Sequence, residues 1–319
     1  MKIAITGANG FVGSTLLRSL QSHGYEPIAL VRRAYDAPGI ESRIIDYSET
    51  TEISSALRDI DVLVHNAGST KALSESAMLK SNVGLTRSLV SIVNALPRQI
   101  RFIYISSQAA SGPSEPDIPK LESDPLRPIT YYGKSKAIAE RVIQRQCRKP
   151  FNIIRPCSVY GPGDRDFLQL FKLCKLGLSV QIGSQPRPLN MIYVHQLAEF
   201  IIQVIERDDL NKEIFFATDA KIYSHEDIVA AISETIGKTH LKLRIPMPLA
   251  RCAFGVSDFV AKISGKETIL SKEKFKEISA QAWTADPAKA QSLLGWQAHG
   301  TLKEKIKETY EWYIANGWL

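Results

Sequence analysis

Apolar residues in the first half of the chain fall into short runs, separated by stretches in which they recur at three- and four-residue intervals. The runs at Lys2–Thr6, 27–32, 42–45, 61–65, 102–106 and 151–155 read as strands. Sets between them, such as Leu16, Leu17 and Leu20 or Ile53, Ala56, Leu57 and Ile60, have the spacing of one helix face. Strands alternating with such helices are the signature of βαβ units, so the pattern predicts an α/β fold with a doubly wound parallel sheet. Helices are expected on both of its faces.

Proline and glycine mark where this order changes. Residues 111–129 hold five prolines, which predicts a long surface loop leading into a helix, and loops of that length tend to be functional. From Gly161 onward the regular alternation stops. The pattern there predicts a short helix over 167–176, a strand over 179–182, a helix over Val194–Glu206 and a strand over 213–218. A more helical region ending at 302–316 follows.

Composition narrows the function classes. With 44% hydrophobic and 23% charged residues the chain is an ordinary globular one. Its net charge of +7, from 40 basic and 33 acidic residues, is scattered, so no nucleic-acid partner is expected. The four cysteines, Cys147, Cys157, Cys174 and Cys252, stand far apart, and the six histidines lack metal-ligand spacing. That excludes a disulfide framework, implies no metal site and suits a reducing cytoplasm. The chain runs from Met1 straight into a strand, so a cleaved leader would remove the first element. The apolar stretch 248–263 is broken by Arg251 and Asp258 and is too short to span a bilayer. A core or dimer-interface helix is expected there, and no membrane partner.

Candidate chemistry starts with Thr6-Gly7-Ala8-Asn9-Gly10-Phe11-Val12-Gly13, a strand end, a tight turn and a helix start. Glycines permit positive φ and close approach of backbone to a pyrophosphate, and the helix N-terminus offers free N–H groups to it. About 20 positions on, where NAD sites carry an acid for the ribose hydroxyls, stands Arg32, followed by Arg33. An arginine there favours the 2′-phosphate of NADP; NAD remains the alternative, with Asp36 as a more distant acid. Asp46 and Tyr47, at the end of the third strand, are placed to meet the adenine. Tyr132 alone among the eleven tyrosines has a lysine four residues on, Lys136, which a helix puts on the same face. The ammonium is expected to pull the phenol pKa down toward the working pH. Ser107 ends a strand, where its hydroxyl would hold a substrate carbonyl.

These residues resemble the extended short-chain dehydrogenase/reductases, also called the NAD-dependent epimerase/dehydratase family. The resemblance adds Asp61-Val62-Leu63-Val64-His65-Asn66-Ala67-Gly68, Asn82, the run from Arg155 to Asp164, the segment from Ile192 to Ala198 and Leu294-Gly295-Trp296. It covers almost the whole chain and implies a Rossmann domain over 1–165, to which 191–218 return. A smaller, mainly helical substrate-binding region would take 166–190 and 219–319. It implies further that Gly7, Asn9, Gly10, Phe11, Val12 and Gly13 meet the pyrophosphate, and that Asn66, Ala67 and Gly68 border the cofactor. By the same resemblance Asn82 supports the active-site helix, Ser107 orients substrate, Tyr132 is the acid/base and Lys136 is its partner. Pro156, Ser158 and Val159 would shape the nicotinamide pocket. A homodimer is implied by analogy alone.

The resemblance leaves the substrate open. Many sugar-nucleotide members carry Asn where this chain has Ser158, and the run from Arg155 to Asp164 is nearer to the 3β-hydroxysteroid dehydrogenase and dihydroflavonol reductase branches. The leading expectation is an NADP(H)-dependent oxidoreductase of a secondary alcohol or ketone. A nucleotide-sugar epimerase or dehydratase, with Arg187 as a cation for the diphosphate, is the alternative. The apolar residues between 168 and 182 suit an apolar substrate better. A cofactor-binding sensor without turnover is disfavoured, because both Tyr132 and Lys136 are present.

Overall fold

The computed structural model describes residues 1–319 except Asp36, Lys266, Glu267 and Ile269. Among the described residues twelve strands follow one another: β1 (Lys2–Thr6), β2 (Glu26–Val31), β3 (Glu41–Ile44), β4 (Val62–His65), β5 (Arg101–Ile105), β6 (Phe151–Pro156), β7 (Ser158–Tyr160), β8 (Leu178–Ile182), β9 (Leu189–Tyr193), β10 (Glu213–Ala217), β11 (Ile222–Tyr223) and β12 (Leu241–Ile245). Seven of them form one parallel sheet in the order β10-β6-β5-β4-β1-β2-β3. The chain winds outward from β1 to β3, then returns to pair β4 with β1 and winds the other way. That reversal between β1 and β4 opens a crevice at the strand C-termini, where such sheets bind ligands.

Two apolar layers cover the sheet. On one face Leu16, Leu17 and Leu20 of the helix Phe11–Ser22 join Leu197, Phe200 and Ile201 of the helix Val194–Glu206. On the other, Ile53, Leu89, Val90 and Ile143 come from the helices Thr50–Ala56, Leu85–Ala95 and Tyr131–Gln146. With both faces covered, the central strands have no solvated side, and β4 and β6 are buried throughout.

A third core gathers Tyr160, Phe171, Tyr193, Ile232 and Tyr313 beside the C-terminal ends of the sheet. The small sheets β11-β9-β7 and β12-β8 frame it. Here belong the apolar residues of the helix Leu168–Lys175: Leu168, Phe171 and Cys174 are buried in this core, not lining an open pocket. The support they lent to an apolar substrate is therefore withdrawn. The stretch 248–263 is a helix as expected, but not a core one. It lies in the helix Met247–Ser264, which buries only Ala250, Phe254, Asp258 and Ala261.

Candidate active site

Gly7 turns the chain at φ +69°, and a Cβ there would lie 2.8 Å from Ala67 Cα. A Cβ on Gly13 would lie 2.1 Å from the Gly7 carbonyl oxygen. Neither position has room for a side chain, so β1, β4 and the helix Phe11–Ser22 meet at backbone distance. Asn9 and Gly10 are exposed at the tip, and Phe11 and Val12 are half-buried behind them. No side chain caps the helix, and its first turn holds no acidic residue. Its N–H groups and positive dipole end thus face the crevice uncompensated, a cradle that fits a pyrophosphate.

A buried network fixes the turn from below. Thr6 Oγ1 accepts the N–H of Asn66 at 3.1 Å and of Ala67 at 3.0 Å, and donates to His65 Nδ1 at 2.9 Å. On its other side His65 Nε2 lies 3.0 Å from Thr86 Oγ1, which donates to the Asn82 carbonyl at 2.8 Å. In this order of donors Nε2 carries the proton and the imidazole is neutral. Burial, with the Lys136 charge nearby, lowers its pKa to about 3. His65 and Thr6 were not singled out from the sequence. Their signal was there, since each lies within a stretch quoted from the sequence, where neither was given a role.

Arg32 follows β2 directly, and both it and Arg33 are exposed. Tyr47 lies close by, its hydroxyl donating to the Leu30 carbonyl at 2.9 Å. Burial raises its pKa, with the Arg32 charge and the Gly7 N–H acting against that rise. The Asp46 carboxylate accepts the Ser48 N–H and hydroxyl, both at 2.8 Å, and these bonds hold its pKa down. Asp36 lies outside the described residues.

Tyr132 and Lys136 sit one turn apart on the helix Tyr131–Gln146, with Lys136 Nζ 5.9 Å from the Tyr132 ring centre. Ser107, two residues past β5, caps the short helix Gln108–Ser111 by accepting the Ala109 N–H at 3.1 Å, and it lies near enough to the Tyr132 phenol to lower its pKa. Gly133 allows this approach, because a Cβ there would lie 2.3 Å from the Ala109 carbonyl oxygen. One expectation reverses. Burial pushes the Tyr132 phenol up to about 12, opposed by Ser107 and reinforced by Glu277. Lys136 is spent elsewhere: Nζ donates to the Ile105 carbonyl at 2.8 Å and lies 4.7 Å from the Tyr104 ring centre. Burial lowers its own pKa to about 8.

Behind these groups two networks set the helix. Asn82 lies in a π-helical turn, Lys80–Gly84, and its amide donates to Ser135 Oγ at 2.8 Å. Ser135 in turn donates to the Tyr132 carbonyl at 2.7 Å, which links Asn82 to this helix. One turn beyond Lys136, Glu140 forms a buried pair with Arg155 of β6, at 2.7 Å and 3.0 Å, and also accepts from Ser106. Glu140 was missed in the sequence, although it continues the Tyr132/Lys136 face at the same four-residue interval.

The remaining candidates are placed less closely. Pro156 is buried at the end of β6, Ser158 is exposed at the start of β7, and Val159 is half-buried. Arg187 donates to the Ile182 carbonyl and lies 3.4 Å from Met247 Sδ, so its guanidinium is engaged with its own loop. Among the described residues no group of three or more His, Cys, Asp or Glu side chains is placed to hold a metal ion.

Comparison with known proteins adds context. A family model described as the NAD dependent epimerase/dehydratase family matches residues 3–216. The chain is 26% identical over 322 residues to the ceramide reductase of Caulobacter vibrioides, covering 99% of this chain and 96% of that one. To the UDP-glucose 4-epimerase of Vibrio cholerae it is 25% identical over 328 residues, covering 98% and 95%. Its fold matches that of the Bacillus cereus UDP-glucuronic acid 4-epimerase solved with UDP-glucuronic acid and NAD, at a TM-score of 0.79 and 20% identity, over 99% of this chain and 100% of that one.

Proposed function

Since the chain belongs to the NAD dependent epimerase/dehydratase family and is an enzyme, we propose that it transfers a hydride between NADP(H) and a secondary alcohol or ketone. The observation that carries this reading is Ser107 beside the Tyr132 phenol, with Lys136 buried one turn away and bonded to the Ile105 carbonyl at the C-terminal end of β5. Gly7, Gly10 and Gly13 would hold the pyrophosphate, with Asn66, Ala67 and Gly68 along the cofactor's other flank. Pro156, Ser158 and Val159 would border its nicotinamide end.

When bound, the nicotinamide supplies or accepts the hydride, and the chain's own groups handle the proton and the charge. With its pKa near 12 in this state, Tyr132 is protonated at neutral pH and is set as a general acid toward a substrate oxygen. Ser107 donates a hydrogen bond to that oxygen and holds it over the phenol. Once Tyr132 has given up its proton, the Lys136 ammonium stabilises the phenolate, while the Ile105 carbonyl keeps Nζ in place.

Net oxidoreduction is favoured over epimerisation by Arg187. A sugar diphosphate needs buried cations or donors, and the guanidinium offered for it is bound to Ile182 and Met247 instead. Ser158 likewise replaces the amide of sugar-nucleotide members, and similarity to a ceramide reductase points the same way. The equal similarity to a UDP-glucose 4-epimerase keeps epimerisation as the second reading.

The test incubates the protein with NADP⁺ or NADPH and two panels, hydrophobic alcohols or ketones and nucleotide sugars, following reduced-nicotinamide absorbance. Net cofactor turnover is expected with the first panel. Tyr132→Phe should lower it ~10²- to 10⁴-fold with cofactor affinity nearly kept. Conversion of a nucleotide sugar without net cofactor change would overturn the reading in favour of the epimerase.

A further inference from the structure

The helix Met247–Ser264 is amphipathic in the wrong sense for a buried element. Toward the protein it turns Ala250, Phe254, Asp258 and Ala261, with Phe254 against Phe275 at 5.5 Å between ring centres. Outward it turns Leu249, Val256, Phe259, Val260 and Ile263, with Phe259 64% and Ile263 72% exposed. Their spacing puts them on one stripe roughly 100° wide. Eight of the sixteen large apolar side chains exposed among the described residues fall between Leu241 and Leu270. Surfaces of this kind mark docking sites.

Charge identifies what docks. The helix's exposed residues include two charged ones, both cations: Arg251, and Lys262, which is paired with Asp258 at 3.1 Å. Residues 238–276 carry nine lysines and arginines against three acids, a surplus of six within a chain whose net charge is +7. A second copy meeting this face across a two-fold axis would set the same cations against one another. An anionic bilayer surface would attract them, and their long side chains can snorkel to its phosphates while the apolar stripe sinks among the acyl chains.

We propose that the outward face of the helix Met247–Ser264 docks the protein onto an anionic phospholipid bilayer. Among the described residues no helix is long and apolar enough to cross a membrane. The sequence-based expectation of no membrane partner rested on a span too short and broken by Arg251 and Asp258, and an interfacial helix needs no such span. The face lies two contacts from the proposed catalytic residues. The helix Lys272–Ser279 packs through Phe275 against Phe254 on the inward side of the same helix, and Glu273 accepts the Tyr131 N–H at 2.6 Å. If the active-site reading above holds, docking would bring the site to the bilayer surface, where a lipid alcohol or ketone resides.

The experiment is co-sedimentation with phosphatidylcholine vesicles, with and without phosphatidylglycerol, and needs no knowledge of the substrate. Wild type is expected to pellet with the anionic vesicles and to be released by salt. The variant Val256→Ser/Phe259→Ser/Ile263→Ser should lose binding by at least about tenfold, and Arg251→Glu by about tenfold. NADPH dissociation constants near wild type show that each variant is folded. If the triple variant fails that check, Arg251→Glu decides alone. Wild type that ignores anionic vesicles, or variants that bind them as wild type does, would overturn the proposal. So would a stable dimer that the substitutions split without changing vesicle binding. Failure here leaves the turnover assay untouched, and a failed turnover assay leaves vesicle binding as measured.

Discussion

Arg32 stands exposed just past β2, close enough to Tyr47 for its charge to act on that phenol, and Tyr47 in turn lies by the Gly7 N–H. A guanidinium so placed beside the glycine turn has the 2′-phosphate of NADP as its natural counter-ion. Charge-assisted bonds of about 1.5 to 3 kcal/mol translate into NADPH binding roughly tenfold to a hundredfold tighter than NADH. Arg32→Asp should erase that margin, measured as dissociation constants for both cofactors on both proteins. Tighter NADH binding by wild type would remove NADP from the reading. At this scale the sequence was most informative where partners are close along the chain, as in Gly7-x-x-Gly10-x-x-Gly13 and Tyr132-x-x-x-Lys136. It was silent on Thr6, His65 and Thr86, whose contacts only folding creates. The electrostatics of Tyr132 were also out of reach, because burial, a property of the packed site, outweighs a lysine one turn away.

The helix carrying Tyr132 and Lys136 is fastened to the sheet by a charge pair. Glu140 and Arg155 are 0% and 2% exposed in their side chains, and Arg155 also reaches Ser111 Oγ at 3.2 Å. Glu140 additionally holds Ser106, the neighbour of Ser107, so one carboxylate ties the helix Tyr131–Gln146 to the ends of both β5 and β6. Removing it strands a buried guanidinium. Glu140→Gln should therefore destabilise the fold by ~3–5 kcal/mol, read as a lower midpoint in urea unfolding. Glu140→Leu/Arg155→Met, which removes both charges, should cost less. A single substitution as mild as the double would show that the pair is not what holds the helix. Elements of this sheet were legible in the sequence, with strand ends shifted by a residue or so, because strands covered on both sides are unbroken apolar runs. The short strands β7, β9, β11 and β12 were not, since β12 is mostly exposed and the others pair across long stretches of chain. For the helix Met247–Ser264 the apolar residues left a core or an interface helix open, and only the structure tells which side is buried.

On the scale of the molecule, the sheet consists of two wings, β1-β2-β3 and β4-β5-β6-β10, that meet where β1 pairs with β4. His65 lies on that seam, joined to Thr6 of β1 and to Thr86 of the helix Leu85–Ala95. Protonating it would place a charge in a fully buried network and turn Nδ1 from an acceptor into a donor facing the Thr6 hydroxyl. Its folded-state pKa of about 3 lies below the ordinary 6.5. The unfolded chain therefore binds the extra proton first, and stability present above pH 6.5 is lost as pH falls toward 3. Within that window each pH unit should cost up to ~1.4 kcal/mol. Asp164 acts in the opposite direction, because burial raises its pKa from 3.8 to about 6, so the folded state gains protons first. Comparing wild type with His65→Gln cancels Asp164 and the other carboxylates. The variant should be less stable at neutral pH, having lost the fitted ring, but its urea midpoint should decline less steeply between pH ~7 and ~5. Parallel slopes for the two proteins would mean that His65 does not set the acid sensitivity of the seam, and that the two wings are held together there by backbone pairing alone.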